Sequence, residues 1–212
     1  MSQSHFEATI ISHHDARIGT LARIKTRSLG ADTLVLSALG VLTYAQLEGG
    51  VKDLAACVIK HVNARKLALG QVSPGLLAWR NQDALGKLRS MVDFDMIGMP
   101  VPFAAALDKR VKVNAINRKR ELNQMSWLSL KAVYLGFGLD YGAVKVLAAK
   151  IDELVSARND AAHHGAMPNL ASGMLESQLR ENVAVVEDIL TDLSARLLEY
   201  FKIGMHRRAT GP

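Results

Sequence analysis

Apolar residues recur every three or four positions through most of the chain, a period that suits helices rather than strands. The C-terminal stretch is the clearest case. Leu175, Leu179, Val183, Val186, Leu190, Leu193, Leu197 and Phe201 form one continuous face of a long helix. A second long helix is predicted from Asp32 to about Leu69, with Leu36, Leu39, Leu42, Leu47, Val51, Leu54, Val58 and Val62 as its stripe. Gly49 and Gly50 weaken its middle, because glycine gives up the most backbone freedom on entering a helix. Residues 4–27 form an earlier helix. Ser73 and Pro74 open a shorter one in "VSPGLLAWRNQDALGKLRSM", since proline suits the first helical turn.

The pattern fails in "DFDMIGMPVPFAAALDKRVKVNAINRKRELNQ", where prolines, a glycine and a basic run interrupt any stripe. Regularity returns with "WLSLKAVYLGFGL". Asp140 then suits the N-cap of a helix whose stripe runs through Val144, Leu147, Ile151 and Leu154. Gly165 and Pro168 end it. The expected architecture is all-α: an antiparallel helical bundle with an irregular basic insertion near residues 93–125. A single domain is expected over 1–212, with its core at about 30–203, the N-terminal helix at 4–27 and a tail at 204–212.

Composition supports packed helices, with 49% hydrophobic but only 5% aromatic residues. The one cysteine, Cys57, sits in an apolar stretch and has no intramolecular partner, so a reducing compartment is expected. The amino terminus, "MSQSHFEATIISHHDAR", lacks the basic and apolar regions of a signal peptide. The longest weakly polar run, "LVLSALGVLTYAQL", stops at 14 residues before Glu48, short of the roughly 18 that a span needs. A cytoplasmic location without membrane attachment is therefore expected. The net charge of +6 is concentrated in "KRVKVNAINRKR". There Lys109, Arg110, Lys112, Arg118, Lys119 and Arg120 attract a polyanion such as RNA by counterion release, or form a solvated face.

The candidate chemistry lies in "SARNDAAHHGAMP", residues 156–168. One more step along the stripe of Val144, Leu147, Ile151 and Leu154 lands on Arg158. A guanidinium on a buried face is costly unless it is paired or lines a site. Glu48, in the long apolar helix, is the acid placed to pair with it. His163 follows five residues later, about 140° around an ideal helix. Either the helix breaks between the two, or a second chain shares the pocket. A metal reading of Asp160, His163 and His164, joined by His13 and His14, lacks any further ligand spacing or cysteine cluster. No metal or cofactor is expected. Neither a phosphate-cradling glycine loop nor a nucleophile elbow occurs.

Arg158, Asn159 and His163 resemble the R-x(4-6)-H motif of the HEPN superfamily, in which a polar residue commonly follows the arginine. "YAQLEGGVK", with Tyr44 and Glu48, resembles the Y-x-x-x-E-G-x-V-K pattern of bacterial HEPN domains of the RiboL-PSP type. The similarity covers about residues 30–203. It implies a metal-independent endoribonuclease, a toxin or abortive-infection effector that acts as a homodimer, with an antitoxin or defence-operon partner. The residue types suit that reaction. RNA carries its own nucleophile, the 2′-hydroxyl; the imidazole of His163 can move its proton near neutrality; and Arg158 can stabilise charge on the phosphate oxygens. Asn159 can orient the ring. His164 also satisfies the spacing, and Tyr44 and Glu48 are auxiliary candidates. Two alternatives remain: a non-catalytic RNA- or nucleotide-binding domain, and a protein-interaction module.

Overall fold

The computed structural model describes residues 2–68, 71, 72, 76, 125–164, 176–202 and 204, with side chains described up to Asn159 in the segment that begins at 125. The helix expected after Ser73, the basic insertion up to residue 124 and the tail beyond Gly204 lie outside the described residues, Leu76 apart. Among the described residues there are six helices and no strand.

Short polar side chains start the long elements. α1, Gln3–Arg27, begins where the Ser2 hydroxyl accepts the His5 N–H, and α2, Thr33–Ala64, begins where the Asp32 carboxylate accepts the Val35 N–H at 2.9 Å. Each bond satisfies an amide that the helix itself cannot. α3, Trp127–Phe137, is capped in the same way by Ser126 and ends at Gly138, whose φ of 70° is the left-handed conformation that glycine adopts freely. α6, Glu176–Lys202, carries the C-terminal stripe, and its Leu179, Val183, Val186, Leu190, Leu193, Leu197 and Phe201 are all buried.

Asp140 does not cap one long helix. It accepts the Gly142 N–H at 3.0 Å, and the segment divides into a single turn, α4, Gly142–Lys145, and α5, Ala148–His164. The Leu147 N–H turns back to the Val144 carbonyl, three residues earlier, which interrupts the four-residue bonding of an α-helix. The expected stripe survives the break, with Val144, Ile151 and Leu154 buried.

α1, α2 and α6 make the centre of the bundle. Ring contacts among Phe6, His61 and Phe201, with centroids 4.2 to 4.6 Å apart, join all three at one end. Lys25 pairs with Glu187, and His14 contacts Thr191, so α1 runs antiparallel to α6. Arg17 reaches Gln46 and Asp53, and Gly50 lies against Leu190. On the α3 side, the buried Tyr134 hydroxyl donates to Asp192 at 2.7 Å, and Asp192 also holds Arg196.

Two expectations for α2 change. Leu42 is 50% exposed, because six residues after Leu36 place it about 120° off the buried face. Thr43 takes the inward place and donates its hydroxyl to the Leu39 carbonyl at 2.8 Å. The glycines are packing positions rather than weak points. A Cβ on Gly49 would lie 2.9 Å from the Arg17 guanidinium, and one on Gly50 would lie 2.6 Å from Leu190 Cδ2. By length and composition α2 could cross a membrane; in this fold it is the central helix of the bundle.

These clearances separate the two positions. Gly50→Ala drives a methyl into a packed leucine and should cost about 1–3 kcal/mol. Gly49→Ala meets only the far end of the Arg17 side chain, which can shift within its bonds to Gln46 and Asp53, and the better helix propensity of alanine, worth about 1 kcal/mol, offsets that contact. Urea unfolding of both variants should show a clear loss of midpoint for Gly50→Ala and little change for Gly49→Ala.

Candidate functional site

Tyr44 and Glu48 are one turn apart on α2 and so share a face. Tyr44 is 2% exposed, and its hydroxyl oxygen accepts the Met125 N–H at 2.7 Å. That bond anchors the chain two residues before α3. The Glu48 carboxylate, one turn along α2, lies close enough to act on this hydroxyl. Burial is the main cause that raises the phenol above its ordinary range, and Glu48 adds to it, while Met125 and Arg158 oppose it. Tyr44 is thus a neutral donor at physiological pH. Glu48 in turn is paired with Lys52, one turn further along α2.

Arg158 approaches from α5. Its guanidinium carbon lies 5.7 Å from the centroid of the Tyr44 ring, within the range of a cation–π contact. Nη1 donates to Asn159 Oδ1 at 3.0 Å. The side chain is half-buried. The expected salt bridge with Glu48 is replaced by a division of partners, in which Lys52 takes the carboxylate and the phenol face takes the guanidinium. A π-face neutralises a cation far less than a carboxylate does. Arg158 therefore keeps its capacity to bind an anion.

α5 continues without a break through His164. The alternative in which the helix breaks between Arg158 and His163 is thereby removed, and their backbone positions stand about 140° apart around its axis. The side chains of Asp160, His163 and His164 lie outside the described residues, as do Lys109, Arg110, Lys112, Arg118, Lys119 and Arg120. Of the expected set, the fold brings together Tyr44, Glu48, Arg158 and Asn159. Lys52 joins them without having been expected; its signal was its place four residues after Glu48, the spacing of a helical ion pair. On α1, His13 lies 3.9 Å from Asp53 and His14 contacts Asp15 and Thr191. Among the described residues no group of three or more ligand-type side chains could hold a metal ion.

The family model described as RiboL-PSP-HEPN matches residues 4–199. The chain belongs to the RiboL-PSP-type HEPN family. The match takes in α1 as well as the helices that carry the site, so the N-terminal helix is part of the HEPN domain. No curated protein and no solved structure matches the chain. HEPN domains include ribonucleases and nucleotide-binding modules, and in this HEPN domain Tyr44, Glu48 and Arg158 form one polar cluster where α5 meets α2.

The phenol makes two roles separable. Tyr44→Phe keeps the ring beneath Arg158 but leaves the buried Met125 N–H without its acceptor, a loss of about 1–3 kcal/mol. The sign with pH follows from the raised phenols of Tyr44 and Tyr134. Their contribution is fully present below pH 10 and is lost as pH rises above the ordinary phenol range. Urea midpoints measured from pH 8 to 11.5 should fall at the alkaline end, and Tyr44→Phe should make that fall shallower.

Proposed function

We propose that this HEPN domain is a metal-independent endoribonuclease. The observation that carries the reading is the half-buried Arg158 guanidinium, oriented by Asn159 and the Tyr44 ring while Lys52 occupies the nearby carboxylate. In this reaction the 2′-oxygen of one nucleotide attacks its own 3′-phosphorus, and the bond from phosphorus to the 5′-oxygen of the next nucleotide breaks. His163 takes the 2′-hydroxyl proton or returns one to the departing 5′-oxygen. Arg158 binds the phosphate oxygens as their negative charge grows. Asn159 holds the guanidinium in place. The products are a 2′,3′-cyclic phosphate and a 5′-hydroxyl.

The proposed active unit is a homodimer. The unbroken α5 supports this, since one helix turns Arg158 and His163 about 140° apart, whereas a two-fold axis brings the same patch from two chains to one phosphate. The exposed apolar side chains of Leu34, Val35 and Leu42 on α2 provide surface that such an association would cover. A toxin or defence-effector role, a neutralising partner and a cytoplasmic setting accompany this proposal. The basic run at 109–120 is assigned to RNA contact, and neutralising Arg118, Lys119 and Arg120 should flatten the salt dependence of binding.

Purified protein incubated with total RNA in excess EDTA should cut it, leaving cyclic phosphate ends. Arg158→Ala and His163→Ala should each reduce cutting by at least about 100-fold while light scattering still reports a dimer. Activity that vanishes on chelation and returns with a divalent ion would overturn the mechanism. Cleavage by a strict monomer would overturn the shared site.

A further inference from the structure

A second polar feature lies on the other flank of α2. His5, Thr9 and His13 follow one another at four-residue intervals on α1 and face Asp53, Ala56, Cys57 and Lys60 of α2 across a cavity of about 220 Å³. Cys57 is buried and gives the cavity an apolar wall; Ala56 adds a methyl group, and the imidazoles add flat ring surface. Asp53 is the only carboxylate among the lining residues, and Arg17 holds it at 2.6 Å, with His13 at 3.9 Å. Its charge is therefore compensated within the fold. Lys60 is exposed, and among the described residues no carboxylate pairs with it. The groove thus combines an uncommitted ammonium, two imidazoles and an apolar wall in one concavity. Sites that bind ligands share this combination of mostly apolar lining and a few convergent polar groups.

We propose that this groove holds one nucleotide of a single-stranded RNA, outside the linkage that is cut. Lys60 and His5 receive its phosphate, and its base lies against the imidazole rings and the Ala56 and Cys57 wall. A bare anion would use the cation alone and leave the apolar wall wet, whereas a nucleotide satisfies both. Bases of single strands stack on flat side chains without regard to sequence. The register along α2 suits a continuous strand: Glu48 and Ala56 are eight residues apart, about 12 Å along the axis. The inference rests on the RNA-cleaving reading of the Arg158 site and adds a subsite to it.

The test uses the full chain and a fluorescein-labelled 2′-O-methyl oligoribonucleotide, which cannot supply the attacking hydroxyl. In anisotropy titrations, the variant carrying His5→Asn, His13→Asn and Lys60→Gln should bind roughly tenfold more weakly. The slope of log Kd against log salt should be shallower by about 0.7, the share of one single-strand phosphate. Ala56→Phe fills the groove without changing its charge and should weaken binding as well, while Arg180→Gln on α6 should not. Circular dichroism melting checks that each variant is folded. A 4-thiouridine strand should crosslink to peptides spanning residues 5–13 or 53–60. Unchanged affinity and salt slope in both groove variants, with crosslinks confined to other segments, would overturn the subsite even where RNA is cut in EDTA. Loss of cleavage alone, with groove-dependent binding intact, would remove the nuclease reading and retain the groove as an RNA site.

Discussion

The arrangement depends on how closely three helices approach the middle of α2. Gly49 and Gly50 sit at that point and face different neighbours, one beneath the guanidinium of Arg17 and the other beneath Leu190. Adjacent residues on a helix point about 100° apart, so two consecutive glycines open two separate approaches at one level of the bundle. α1 closes onto one and α6 onto the other. Tyr44 and Glu48 precede this level by less than two turns, on a third face, and α5 packs there with Arg158. The loss of helix propensity from two glycines, about 1 kcal/mol each, is offset by the packing that the short distances allow.

The site is built from a sharing of partners rather than from one strong pair. The Tyr44 oxygen accepts from Met125, its hydroxyl stays protonated beside the Glu48 charge, and its ring carries Arg158. Three contacts thus converge on one side chain that is almost wholly buried. Burial keeps the phenol neutral, which is the form able to accept and donate at once. Had Glu48 paired with Arg158 directly, the guanidinium charge would have been neutralised within the fold. Lys52 prevents this by occupying the carboxylate from within α2 itself.

The same helix separates two kinds of polar surface. The flank toward α5 presents a cation held by aromatic and amide groups, whereas the flank toward α1 presents a cavity where the Asp53 carboxylate is held by Arg17 and the Lys60 ammonium has no carboxylate partner among the described residues. Between them, the exposed ridge of α2 is mostly small or apolar, including Ala38, Leu42, Ala45 and Ala56. A central helix so apolar also meets the length and composition of a membrane span. Of its polar flank residues, Asp53 ties it to α1 through Arg17, while Glu48 and Lys52 pair within α2 itself.

The helical class, the extent of α1, the course of α6 and most of the core were legible in the chain, because a buried stripe at a 3.6-residue period is a local property, whereas α2 stops at Ala64, short of the expected Leu69. The N-cap expected at Asp140 did not hold, because Asp140 closes a turn ahead of a single helical turn. Legible too was the choice of Tyr44, Glu48, Arg158 and Asn159, which the fold brings close together. Their partners were not. Whether Glu48 would take Arg158 or Lys52, whether Leu42 or Thr43 would face inward, and whether glycines in a long helix were flaws or contact points depended on which elements came to lie alongside. Local pattern sets the elements that form, since helix geometry follows from neighbours three and four residues away. Charge pairing and close approach are decided between elements distant in sequence, where distances of a few ångströms settle the outcome and only the packed fold supplies them.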